Sequence, residues 1–231
     1  LPLVLGALFV ELGILKKSPL SYLKYKSDCF ATSTIGKKLD QRDMKHHNDL
    51  VQKVLEENIL DHGKVETKFV DSMVMSSYLV AFVIGPLEVT EIGKVKDTLV
   101  RIVHRPGFGK DTKFAGQAAL KILEFFEDYY EINYPGSKLD LIAIPDFAMG
   151  AMENIGAVTF RESLLILDEE SATRSELSRS VTVIAHELAH MWFGDLVTME
   201  WWDGIWLNEA FASLMEGISS DATYPEIMLW G

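Results

Sequence analysis

The chain has 231 residues, 48% of them apolar, which is enough to bury a core and excludes a disordered composition. Its formal net charge of -12, with no long basic run, argues against binding to nucleic acid or to an anionic membrane surface. A lone cysteine, Cys29, excludes an internal disulfide, and no Asn-x-Ser/Thr acceptor occurs; both point to a reducing, cytoplasmic setting.

The sequence begins at Leu1 rather than a methionine, as a fragment or processed product would. Its opening stretch, "LPLVLGALFVELGILKK", is too short to span a bilayer and carries Glu11, so a buried or interfacial segment is expected there. Residues 1–50 show only weak periodicity and remain an unassigned segment. From residue 51 the pattern sharpens. "KVLEENILDHGKVETKFV" predicts a strand, a turn at 61–63 and a returning strand, and "SSYLVAFVIG" is another apolar, β-rich run. Residues 51–92 thus read as the end of a β-rich N-terminal domain. A boundary is expected within 88–96, where polar residues and Gly93 interrupt the apolar runs.

Beyond it, "DTLVRIVH" predicts a strand and "RPGFGKD" a loop. A helix follows from a cap at Asp111 or Thr112 to about Tyr130, with Phe114, Ala118, Ile122 and Phe125 on one face. "LDLIAIP" is a short buried strand, and "GAVTF" and "SLLIL" continue the sheet-and-loop pattern. Ser175 is placed to cap a helix running to Phe193, ended by Gly194, with Leu177, Val181, Ile184, Leu188 and Trp192 as its apolar stripe. A last helix is expected from Ile205 to about Gly217. The fold class is α+β.

The chemistry concentrates in "HELAH", 186–190. On a helix, residues i and i+4 share a face, so His186 and His190 can reach one metal ion. Zinc accepts imidazole nitrogen and prefers four ligands. Glu187 lies beside that metal rather than on it, where a general base takes a proton from water. Glu209, on the following helix, is the natural third ligand, leaving one position open. Glu216, two turns further on, is placed to hydrogen-bond a ligating histidine, although a solvated surface glutamate would look the same. Isolated surface or core histidines would give the same letters by chance. Against that stand the predicted helix, the carboxylate on a second helix, and tryptophans 192, 201, 202 and 206, which would suit a dry shell around a metal.

A second motif is "GAMENIG", 150–156, a glycine-bounded loop after the strand "LDLIAIP", with the Glu153 carboxylate beside backbone that a ligand can approach. Alone it is an ordinary turn. Together, "GAMEN" at 150–154, "HELAH" at 186–190 and "WLNEAFA" at 206–212 resemble the zinc aminopeptidases of the aminopeptidase N type, a branch of the gluzincin metallopeptidases. The resemblance runs from about Val51 to the C-terminus. It implies that residues 93–231 are a thermolysin-like catalytic domain, truncated at the C-terminus. It implies one zinc ion per chain on His186, His190 and Glu209, with Glu187 as general base. It also implies that Glu153 holds the free α-ammonium of a peptide substrate. The Gly150–Ala151 backbone would run alongside the peptide, with Met149 near the pocket for its first side chain and Met152 and Asn154 completing the substrate-binding loop.

Family members are several times longer, and they place a transition-state tyrosine well downstream of the third ligand. Here Tyr224 is the only tyrosine after Glu209, and the resemblance therefore also admits a truncated zinc-binding module without turnover. An endopeptidase on the same scaffold would have no use for Glu153. The epoxide hydrolase of the family resembles Gly-Gly-Met-Glu-Asn, whereas Ala151 stands here.

Overall fold

The computed structural model describes residues 54–59, 65–69, 75–81, 83 and 85–227. The opening apolar segment, the rest of 1–50 and the turn at 61–63 lie outside the described residues. β1 (Val54–Ile59) and β2 (Val65–Phe69) pair antiparallel, as their alternation predicts. The next apolar run departs from expectation, since Ser77–Leu79 forms a single 3-10 turn, with Leu79 buried.

A five-stranded mixed sheet follows. Its strands are β3 (Glu88–Val95), β4 (Thr98–His104), β5 (Lys138–Ile144), β6 (Ala151–Met152) and β7 (Ala157–Arg161), in the order β3-β4-β5-β7-β6. β3 and β4 are an antiparallel hairpin, β4, β5 and β7 run parallel, and β6 returns antiparallel on the edge. The boundary drawn between residues 92 and 93 therefore falls inside one strand. Polar residues are tolerated in β3 because it is an edge strand, and a bulge between Glu91 and Gly93 absorbs the break in alternation.

β4 reaches its parallel neighbour β5 through α1 (Lys113–Tyr130). Successive strand residues face opposite sides, so Leu139, Leu141 and Ala143 join the main core while Ile142 and Ile144 join a smaller cluster on the other face. β5 is thus apolar from Leu141 to Ile144, as a central strand covered on both faces is, while its buried Asp140 is paired with Arg101 and Lys138. The main core lies between the sheet and α1, where Ala118, Ile122 and Phe126 are fully buried. Phe126 takes the central place, and Phe125 is only half-buried.

α2 (Arg174–His190) begins two residues earlier than the Ser175 cap implied. Thr173 caps it. Its side chain accepts from the Glu176 backbone N–H while the Glu176 carboxylate accepts from Thr173, a reciprocal capping box. Val181, Ile184 and Leu188 form its buried stripe. The helix stops at His190, three residues before the expected end. The segment "SLLIL" is a 3-10 turn, Glu162–Leu164, with Leu164 and Leu165 buried rather than in a strand. α3 (Ile205–Thr223) is longer than predicted and packs on α2. The described residues therefore mix α and β, the helices packing on the five-stranded sheet, and no helix among them is long and apolar enough to cross a membrane.

Candidate active site

His186 and His190 project from the last turn of α2 toward α3. Their Nε2 atoms lie 3.2 Å apart, and Glu209 Oε2 stands 3.2 Å from the first and 3.7 Å from the second. The outer nitrogens explain why. His190 Nδ1–H donates to the Phe193 carbonyl at 2.9 Å and to Asn208 Oδ1 at 3.2 Å. His186 Nδ1–H donates to the Glu216 carboxylate at 3.1 Å. With the hydrogens held on Nδ1, both neutral rings turn Nε2 lone pairs inward, onto a carboxylate oxygen. Three converging acceptors repel one another unless a cation or a proton sits among them.

The triangle fits a metal of zinc's size. A point about 2.0 Å from each of the three atoms exists, and zinc takes imidazole nitrogen and carboxylate oxygen at about 2.0–2.2 Å. Tetrahedral ligands at that radius stand about 3.3 Å apart, close to the separations seen. These three residues form the one His/Cys/Asp/Glu cluster of metal-binding geometry among the described residues.

The electrostatics reflect the crowding. Burial works to lower the pKa of His190, but the Glu209 hydrogen bond and the Glu153 and Glu187 carboxylates raise it to about 9. His186 is also raised, against its burial, chiefly by Glu216. Glu209 is lowered, first by its hydrogen bond to His190. Burial pushes Glu187 up to about 8, with the two histidines pulling it down. A carboxyl poised near neutrality suits general-base work.

Glu153 is buried just after the edge strand β6, close enough to Glu187 and His190 to shift both. The loop that presents it is fixed by Asn154, whose side chain accepts from Thr159 Oγ1 at 3.0 Å and donates to the Leu79 carbonyl at 3.1 Å. Asn154 thus spends its side chain on the loop. Gly150 faces open space where a side chain would stand, and Met149 is exposed. Ala151 and Met152 pair with Phe160 and Thr159, and among the described residues the other edge of β6 has no sheet partner.

The tryptophans do not form the expected shell. Trp192 is buried against Phe126 and Tyr130, but Trp201, Trp202 and Trp206 are about half to two-thirds exposed. α3 buries Asn208, Ala212, Met215 and Ser219, and that face leaves Trp206 pointing outward.

Three further residues enter the site. Gly194 adopts φ +132°, open mainly to glycine, and an added Cβ would lie 2.7 Å from Asn208 Oδ1. Its absence lets Asn208 reach His190. Asp195 is buried with neither carboxylate oxygen paired among the described residues, and burial, then Glu153, pushes it up to about 9. Tyr78 stands edge-on to Trp202 with its hydroxyl buried, and burial and the nearby Glu153 and Asp195 carboxylates raise its pKa strongly. Asn208 had a sequence signal, a polar residue at a core-facing helical position. Tyr78, far upstream, had none.

Residues 114–231, just over half the chain, match the model of the peptidase family M1 domain. The chain belongs to peptidase family M1. Among curated M1-like relatives, endoplasmic reticulum aminopeptidase 2 of Homo sapiens is 49% identical over 168 residues, 73% of this chain and 18% of the relative. Aminopeptidase M1 of Arabidopsis thaliana is 44% identical over 177 residues, 77% of this chain and 20% of that protein. Aminopeptidase M1-B of Oryza sativa subsp. japonica is 46% identical over 170 residues, 73% and 19% respectively. This M1 chain spans about a fifth of the length of these relatives.

Proposed function

We propose that this M1 chain carries the zinc site and amine anchor of an aminopeptidase that removes the N-terminal residue from peptides. The observation that carries this reading is the convergence of His186 Nε2, His190 Nε2 and Glu209 Oε2 on one tetrahedral-sized point, with Glu153 buried nearby. His186, His190 and Glu209 would hold one zinc ion per chain, which supplies a Lewis acid for the scissile carbonyl and lowers the pKa of water.

The chain's own residues do the rest. Glu187 takes a proton from the attacking water on its carboxylate and passes it to the departing amine. Glu153 is an acceptor-only group in a buried place, where an unpaired charge is costly, so it selects a ligand with a positive amine. The outer edge of β6, at Ala151–Met152, offers backbone to an extended peptide, and the open space at Gly150 lets it approach. Asn154 positions that loop through Thr159 and Leu79, and exposed Met149 borders the first side-chain pocket. The architecture suits a partial thermolysin-like core: a sheet with a substrate edge above two metal-bearing helices.

The test is zinc content followed by fluorophore release from free and N-acetylated aminoacyl substrates. Release from the free-amine form alone is expected. Equal cleavage of both would overturn the amine anchor, and stoichiometric zinc with no turnover would favour a non-catalytic zinc-binding module.

A further inference from the structure

Tyr78 Oη and Asn208 Nδ2 are two buried polar atoms without a hydrogen-bond partner among the described residues. Leaving either unpaired costs free energy, so their placement requires an explanation. Asn208 is tied to the metal cluster through His190, and Tyr78 adjoins the loop of the amine anchor through Leu79 and Asn154. Asn208 already spends its oxygen on His190 Nδ1–H at 3.2 Å, which leaves its amide as donor only. The next residue after Tyr78, Leu79, accepts from the side-chain amide of Asn154, the next residue after Glu153, so that bond ties the Tyr78 turn to the Glu153 loop. The Tyr78 ring is held from the other side by Trp202, 5.5 Å between centroids, just before α3 brings in Asn208. The Glu153 carboxylate and the Asn208 amide both stand near enough to the phenol to influence its ionisation, an acceptor and a donor within its neighbourhood. The phenol is one of the few side chains that can accept and donate at one atom.

We propose that Tyr78 is a positioning residue for the amine anchor: it accepts from Asn208 Nδ2 and donates to the Glu153 carboxylate, joining His190, Asn208, Tyr78 and Glu153 in one directional chain. The polarity is consistent at each link. His190 donates to the Asn208 oxygen, Asn208 donates from its nitrogen, and Tyr78 donates to an acceptor-only carboxylate. The upward shift of the phenol's pKa agrees, since carboxylates disfavour its ionisation. The chain holds Glu153 in one rotamer facing the incoming ammonium. It rests on the reading of Glu153 as the anchor.

The test uses binding to the zinc-loaded protein, so no turnover is required. The probes are an α-amino hydroxamate and the same hydroxamate lacking the α-amine, titrated by calorimetry. The ratio of their affinities reads the anchor alone. Tyr78→Phe keeps the ring on Trp202 and removes only the hydroxyl. It should lower the ratio about tenfold, as for a hydrogen bond to a charged group, with the amine-free probe unchanged. A ratio within twofold of wild type, or an equal loss for both probes, would overturn the proposal. Glu153→Gln separates the two levels. If it too leaves the ratio intact, the anchor reading fails; if it lowers the ratio while Tyr78→Phe does not, only the role of Tyr78 fails. Should Tyr78→Phe not fold, 3-fluorotyrosine at position 78 provides a second readout. Its fluorine resonance should move with the amine-bearing probe and not with the amine-free one, and equal response to both would refute the link.

Discussion

Replacing Glu216 by glutamine tests how the histidines are oriented. The Glu216 carboxylate lies 3.1 Å from His186 Nδ1 and is 31% exposed. A hydrogen bond to a charged partner contributes about 1.5–3 kcal/mol when sheltered. Partial solvent screening, and the neutral acceptor that glutamine keeps, reduce the loss to about 1.4 kcal/mol, or about tenfold in metal affinity. That falls at the low end of the roughly 10–100-fold expected when a group behind a metal ligand is changed. Competition against a chromogenic zinc chelator at fixed pH would measure it. Glu209→Gln, which removes an ionised ligand, should lose far more in the same assay. A change below twofold for Glu216→Gln would show that Glu216 does not orient His186. A loss matching that of Glu209→Gln would place Glu216 on the metal itself and refute the assigned triad.

Glu187→Gln should retain zinc to within a few-fold while turnover falls about 10²–10⁴-fold, read as metal content against steady-state rate. Burial, then Glu153, pushes Asp195 up to about 9 in the folded chain, against about 3.9 in an unfolded one, so the native state keeps a proton that the unfolded chain releases in between. Its contribution to stability therefore falls as pH rises through that window. In chelator-treated protein, Asp195→Asn should melt higher than wild type at pH 8, by about 1–3 kcal/mol, with the gap closing toward pH 4; a pH-independent gap would contradict the assignment. Phe126→Ala, at a fully buried ring packed on Trp192 and Tyr130, should cost about 3–5 kcal/mol in urea denaturation with the fold retained.

What could be read from the sequence was local. His186 and His190 are four residues apart on one helix, and helical geometry alone brings them to one side. Glu209 was reachable because it lies early on the next helix. The true cap also has a local signature, Thr173 with Glu176 three residues on, two residues ahead of the expected Ser175. Misreadings arose where rotation or long-range pairing decides. The polar run 88–96 looks like a domain boundary until it is seen as a strand at the edge of the sheet among the described residues. Trp206 looks like part of a dry shell around the metal until the buried face of α3 is known. The Tyr78 neighbourhood depends on a contact between Leu79 and Asn154, and no periodicity encodes that pairing.

The two halves of the site have separate addresses in the fold. The metal triad hangs on consecutive helices, whereas the anchoring glutamate is borne by the rim of a sheet. Under the proposed function, substitutions at the rim and its neighbours would change which ligand is admitted while leaving the metal-binding geometry of the helices intact. An architecture of this kind lends itself to diversification of specificity by loop exchange at constant chemistry.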